Sequence, residues 1–282
     1  MHGAFASMCL LIAAIAWRSL LEWLRMSPDS AQSSSLWIIP LISAVLIYER
    51  RLAVFAHTQF VPIALVLFAL GLGISATSFS AHCVSTHSDA TALAIFGVVV
   101  SVAGAFLCCY GKDAWREAGF AIGFLFFAVP IPATTLAPLV RWLQGGSAAV
   151  VSFLFALLDV PYLRDGLRFY LSGLNIEIAS ECSGIRSSFA LLVLSVLLSY
   201  VALRSAWRRL LVIATVVPLV LVKNGIRIVT LSLLTIRVDR GFISGSLHRQ
   251  GGFVFFGIAL AIEGLLCWIL QRSEGKAQPS SR

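Results

Sequence analysis

Apolar residues in this chain come in long runs, separated by short polar breaks that hold most of the charge. Hydrocarbon offers the backbone no hydrogen-bond partner, so a lipid-facing run must be helical, and about 20 residues are needed to cross. By that measure the candidate spans are residues 4–24, 36–48, 58–78, 91–110, 118–131, 184–203, 209–236 and 250–271. The second and fifth are short and contain or abut proline (Pro40, then Pro130 and Pro132), so kinked or re-entrant paths are expected there. Residues 133–158 are also apolar, but Arg141, Gln144 and the pair Gly145-Gly146 interrupt them. That stretch is expected to lie at the interface or dip back rather than cross. The pattern predicts an all-α membrane protein with about eight transmembrane helices, residues 1–272 forming a single polytopic domain. The polar tail 273–282 is expected to be disordered and cytoplasmic.

One segment breaks the helical rhythm. Over residues 159–183, Arg164-Asp165-Gly166 separates two apolar alternations, and Leu174, Ile176 and Ile178 alternate with Asn175 and Glu177. Period-two alternation around a glycine-containing turn predicts a small β-hairpin. It would rest on the membrane surface and lead Cys182 to the start of the next helix.

Composition supports the membrane assignment. Charged residues are 12% of the chain and hydrophobic ones 59%, with a mean hydropathy of +0.92. A soluble domain carries about 25% charged residues, so this chain cannot clothe a water-exposed surface. The net charge is +8, and all but Lys112, Lys223 and Lys276 of the basic residues are arginine. No basic run is interleaved with aromatics, which argues against nucleic acid and for membrane lipids as the neighbours of this charge. The six cysteines, Cys9, Cys83, Cys108, Cys109, Cys182 and Cys267, show neither CxxC pairs nor a downstream His pair. Neither a metal site nor a disulfide framework follows, and no cofactor is implied. The first apolar stretch lacks a small-residue cleavage site and reads as a retained helix. Basic residues divide nearly evenly between the two faces, so charge alone does not orient the chain. The face with the tight pairs Arg50-Arg51 and Arg208-Arg209 is assigned to the cytoplasm.

Three reactive groups fall on the other face: Cys182 before the span at 184, Arg227 near the far end of the span at 209, and His248 just before the last span. A thiol is nucleophilic as thiolate, which a helix N-terminus and neighbouring cations favour, and Arg186 lies one turn on. An imidazole can take the thiol proton and later protonate a leaving amine, while a guanidinium can hold an oxyanion. Against this stand blander readings: a packed cysteine, an arginine snorkelling to headgroups and a solvated histidine. The polar density of Ser180-Glu181-Cys182-Ser183-Gly184-Ile185-Arg186-Ser187-Ser188 beside a membrane favours chemistry.

The blocks Cys182-Ser183-Gly184-Ile185-Arg186-Ser187, then Asn224-Gly225-Ile226-Arg227-Ile228, then His248 with Gly252 four residues on, resemble the exosortase/archaeosortase family. That family carries Cys-Ser-Gly-Ile-Arg-Ser, Asn-x-x-Arg-Ile and His-x-x-x-Gly in the same order. Val129-Pro130-Ile131-Pro132, Leu143-Gln144, Trp207-Arg208-Arg209 and Pro40-Leu41-Ile42-Ser43 with Glu49-Arg50-Arg51 resemble it too. Where members often carry a Tyr-Ser-His-Gly-like stretch, this chain reads Ser33-Ser34-Ser35-Leu36-Trp37, which leaves the subfamily open. The resemblance implies a polytopic cysteine transpeptidase whose site faces the outside of the cytoplasmic membrane. Its partners would be proteins bearing a C-terminal sorting signal: a short motif such as Pro-Glu-Pro, an apolar helix and a basic tail. Carried over, Cys182 is the nucleophile, His248 the acid/base and Arg227 the oxyanion partner, supported by Glu181, Ser183, Gly184, Arg186, Asn224 and Gly252. Two other classes stay open. A non-enzymatic factor in transport or polysaccharide export would place charge near mid-span, where only Lys223 and Arg18 come close. A lipid-directed acyltransferase would share Cys182 and differ in substrate.

Overall fold

The computed structural model describes residues 1–25, 37–56, 58–78, 86–179, 184–238 and 246–276, with the backbone alone for 246–251 and 275–276. Helices α1 (His2–Ile15), α2 (Trp17–Arg25), α3 (Ile38–Glu49), α4 (Arg51–Val54) and α5 (Ala64–Thr77) precede a long α6 (His87–Phe124). A 3-10 turn at Leu125–Ala128 leads to α7 (Ala133–Leu157). Strands β1 (Tyr162–Asp165), β2 (Arg168–Leu171) and β3 (Leu174–Glu177) follow, then α8 (Ile185–Ala202), α9 (Ala206–Arg237) and α10 (Ser246–Lys276).

Among the described residues, five helical segments are long and apolar enough to cross a membrane: His87–Ala128, Ala133–Leu157, Ile185–Ala202, Ala206–Arg237 and Gly252–Glu274. The pair α1 and α2, bent by 73°, makes a sixth if it is one span. This is fewer than the eight expected from the sequence. There are two reasons: the stretches 36–48 and 58–78 yield helices of 12 and 14 residues, short of the ~20 that hydrocarbon demands, and the stretches 91–110 and 118–131 fall within the one segment His87–Ala128. The stretch 133–158 departs in the other direction. It is one helix of 25 residues, with Pro138 inside it, and long enough to cross rather than lie at the interface. Of its interruptions, Gln144 and Gly146 meet the neighbours described below, and a Cβ on Gly145 would meet nothing within 4 Å.

Helix α6 is not straight. The Asp89 carboxylate near its start accepts a hydrogen bond from the Ala133 backbone at 2.6 Å, whereas a straight helix of this length would part those residues by about 60 Å. The reversal lies at Gly111, whose φ of +84° is non-helical and strained for any side chain. A Cβ there would also lie 2.7 Å from the Gln59 carbonyl. The two arms on either side of Gly111 correspond to the separate stretches 91–110 and 118–131.

By contacts the chain forms two compact units, Met1–Ala137 and Pro138–Arg282. In the first, α5 packs on the leading arm of α6 through small residues. A Cβ on Gly71 would lie 2.5 Å from the Ser101 backbone nitrogen, and one on Gly104 only 2.4 Å from that of Phe68. Backbones approach this closely in a membrane because dispersion, rather than the hydrophobic effect, must hold apolar helices together. Polar contacts sit at the ends: Glu22 accepts from Thr91 at 2.9 Å, Trp23 donates to the Ala128 carbonyl at 3.0 Å, and Arg50 meets Glu117 at 3.3 Å.

In the second unit the predicted hairpin is a three-stranded antiparallel sheet in the order β1-β2-β3. The first turn falls where Arg164-Asp165-Gly166 places it, with Asp165 paired to Arg168 and Gly166 at φ +60°. The second, at Ser172-Gly173, pairs Leu171 with Leu174. One face of the sheet, Phe169, Leu171 and Ile176, packs on Val151 and Phe155 of α7 and on Ile228, Val229 and Leu233 of α9. The other face is exposed and carries Leu163 and Tyr170 beside Asp165, Arg168, Asn175 and Glu177. Arg168 donates to Glu177 across the strands at 3.1 Å, and that hydrogen bond raises the Arg168 pKa above its ordinary value.

Candidate functional site

Helices α8, α9 and α10 pack so that three of their ends meet. At one end of this bundle Leu198 of α8, Leu203 just after it, Val212 of α9 and Cys267 of α10 form a cluster. There Glu274 accepts from the backbone nitrogens of Arg204 and Ser205, both at 2.9 Å, at the start of α9. Arg208 donates to the Leu270 carbonyl at 3.0 Å and Arg209 to the Leu203 carbonyl at 2.9 Å. A carboxylate on a helix N-terminus and guanidinia on the last carbonyls of helices both offset unsatisfied ends. Arg209, read from the sequence as loop charge, caps the end of α8, and Arg208 binds a carbonyl within α10.

At the opposite end the three sequence blocks converge. Gly184 is the residue before α8, at φ +71°. Its left-handed backbone is where a glycine avoids the strain of a Cβ. Its carbonyl accepts from the Ser188 nitrogen at 2.8 Å, the Ser188 hydroxyl at 2.7 Å and the Ser187 hydroxyl at 3.0 Å. A Cβ on Gly184 would lie 3.4 Å from the Asn224 Oδ1, so the first block touches the second. A Cβ on Gly252 would lie 4.0 Å from the Arg227 Cζ, so the third block lies beside it as well. Arg227 is partly buried and Arg186 exposed. His248 is a position on α10 one turn before Gly252, and i and i+4 share a helix face. Glu181, Cys182 and Ser183 lie outside the described residues. Their neighbours bound them: Ile178 and Ala179 follow β3, and Gly184 opens α8.

Buried polar side chains, Asn224 of the second block among them, hold this end together. Asn224, buried, donates to the Ser147 hydroxyl of α7 at 2.9 Å. Gln144, one turn earlier on α7, donates to the Ile178 carbonyl at 2.7 Å and so anchors the chain leaving β3. Lys223, buried, donates to the Ser187 hydroxyl. Close approach makes this possible: a Cβ on Gly225 would lie 2.4 Å from Val150, and one on Gly146 would lie 2.9 Å from Leu221. Gln144 was legible as an interruption of an apolar stretch and within the Leu143-Gln144 resemblance; Ser147 carried no signal of its own. A further buried polar group lies deeper, where Glu263 of α10 accepts from Thr215 at 3.2 Å. That carboxyl was overlooked because the span around it is otherwise apolar.

Residues 17–264 match the model of a family described as transmembrane exosortase. The chain belongs to that family. No curated protein and no solved structure is matched. The match covers both units and all three blocks, and it makes the chain a multi-pass membrane protein of exosortase type. In this exosortase the blocks lie far apart in sequence, and neighbouring helix ends bring Gly184, Asn224, Arg227 and Gly252 together.

Proposed function

We propose that this exosortase is a cysteine endopeptidase and transpeptidase that cleaves the C-terminal sorting signals of exported proteins. Its site would face the outside of the cytoplasmic membrane, the orientation that the resemblance to exosortases implies and that puts the arginine-paired end of the bundle on the cytoplasmic side. The observation that carries the reading is that one helix block lies beside both others: Asn224 at Gly184 and Arg227 at Gly252.

In this mechanism the Cys182 thiolate attacks the scissile carbonyl carbon, its proton having passed to the His248 imidazole. The carbonyl oxygen takes up the electron pair, and Arg227 stabilises the resulting oxyanion with a charge that persists beside lipid. Collapse breaks the C–N bond, His248 returns the proton to the leaving amine, and a Cys182 thioester remains. An acceptor amine or water then attacks that thioester and frees the thiol. Asn224 and Gly184 set the relative position of the blocks rather than reacting.

The test is processing of a sorting-signal substrate in cells. Cys182→Ala is expected to insert normally and leave the substrate uncleaved, and a membrane-impermeant thiol reagent should reach Cys182 in intact wild-type cells. Normal processing by Cys182→Ala would remove the nucleophile. Labelling only after lysis would reverse the orientation.

A further inference from the structure

Glu263 has no part in the mechanism above, yet it stands at the middle of the span Gly252–Glu274 and is 1% exposed. At 1.5 Å per residue it lies about 16 Å from either end of that span. A carboxylate in hydrocarbon is costly unless a positive charge accompanies it, and intramembrane ionisable groups are generally kept for a function. Among the described residues no lysine, arginine or histidine lies within ion-pair distance of Glu263. Lys223, two turns along α9 from Thr215, is turned to Ser187, and Arg208 and Arg209 bind carbonyls at the far end of the bundle.

The neutral neighbours do not supply the missing charge. Thr215 contacts Glu263 Oε1 at 3.2 Å and the Val212 carbonyl at 2.7 Å. A hydroxyl has one proton, so these two acceptors share a single hydrogen, and the carbonyl is the nearer. The other carboxylate oxygen, Oε2, is buried without a partner among the described residues. So is the hydroxyl of Ser195 on α8, a residue with 0% exposure. These two orphaned oxygens are level with each other. Helices α8 and α10 both run toward the end where Glu274 meets the Arg204 nitrogen. The Cys267 thiol of α10 reaches the Leu198 carbonyl of α8 at 4.0 Å. Glu263 and Ser195 each lie one turn before that contact, and one turn keeps a helix face.

We propose that Glu263, Ser195 and Thr215 bind one small monovalent cation, a sodium ion or a proton, inside the bundle of α8, α9 and α10. The charge fits: one carboxylate neutralises one monovalent ion, whereas a divalent ion would leave an uncompensated charge in hydrocarbon. The donors fit as well. All three are oxygens, the ligands that hard cations take. The one soft donor nearby, the Cys267 thiol, is turned to Leu198. The site joins three helices at mid-depth, apart from the helix ends where the three sequence blocks meet.

The experiment uses the purified full-length protein in detergent, at one pH and one ionic strength, with sodium chloride or choline chloride as the salt. Dicyclohexylcarbodiimide, which adds to a protonated carboxyl in an apolar setting, is the probe, and peptide mass spectrometry locates the adduct. Glu263 is expected to be labelled in choline. If the cation is sodium, sodium lowers that labelling several-fold. At about 100 times its dissociation constant it also raises the melting temperature by roughly 5 °C. If the cation is a proton, labelling and melting are the same in both salts. Ser195→Ala removes one oxygen and adds no bulk. It is expected to speed labelling several-fold in either case, and an unchanged rate would overturn the place of Ser195 in the site. A bare carboxylate gives a different set of results: no adduct at Glu263, no effect of sodium, and Glu263→Gln melting several degrees above wild type. That set would overturn the proposal, and none of these readings needs a substrate or the transpeptidase chemistry.

Discussion

The two compact units are of similar length and drawn from the same apolar vocabulary, yet they use small and polar residues for opposite ends. In Met1–Ala137, Gly71, Gly97 and Gly104 let α5 lie almost backbone to backbone on α6, and the polar contacts there, such as Glu22 with Thr91 and Arg50 with Glu117, fasten helix ends. In Pro138–Arg282, Gly146 and Gly225 bring α7 and α9 together around a buried polar set, and Ser147, Asn224, Lys223 and Ser187 occupy the space. Close packing alone makes a rigid element. Close packing around polar groups that lipid would penalise makes a site, because those groups are stable only while the helices hold their partners in place.

Substitutions in the two units should separate these uses. Gly71→Leu is expected to have the largest structural effect. Even a single added carbon would lie 2.5 Å from the Ser101 backbone nitrogen, and overpacking of this kind costs about 1–3 kcal/mol before any larger side chain is fitted. Loss of folded protein in a detergent-stability assay is the expected readout, and a wild-type melting profile would show that α5 does not depend on that contact. Arg227→Lys should leave the same profile unchanged and lower processing by about 100-fold, the order lost when one oxyanion donor is removed. A near-wild-type rate would reduce Arg227 to a headgroup anchor. The smallest effect is expected from Ser147→Ala, which removes the acceptor of Asn224 and costs on the order of 1 kcal/mol in a membrane. Its mark is a modest drop in melting temperature with a larger drop in processing. A drop in stability alone would place Ser147 with the structural contacts of the first unit.

Which elements could be read in advance depended on how local their causes are. The spans at 184–203, 209–236 and 250–271 were legible because apolar runs bounded by charge state their own length. The Gly166 turn was legible because a glycine between alternating strands has one common use. The second turn, at Ser172-Gly173, carried a signal of the same kind but lay inside a stretch read as one strand. Residues 36–48 and 58–78 misled because hydropathy measures apolarity and not where a helix stops. Residues 133–158 misled in the reverse sense: Gln144 and the paired glycines look like breaks until α9 and β3 are placed against them.

The candidate site divides along the same line. Sequence alone identified the family through three ordered blocks, and it named Cys182, Arg227 and His248 as reactive, since residue type and spacing within a block are local properties. It also determined that these blocks lie near helix ends, because apolar runs fix where a crossing helix begins and finishes. Only the tertiary structure decided that the second block lies beside both of the others, through Asn224 at Gly184 and Arg227 at Gly252. It alone set Lys223 against Ser187 and left Arg186 exposed. The physical reason is that contact between helices depends on which faces pack and how closely, and that follows from small residues on several helices acting together rather than from any one stretch of the chain.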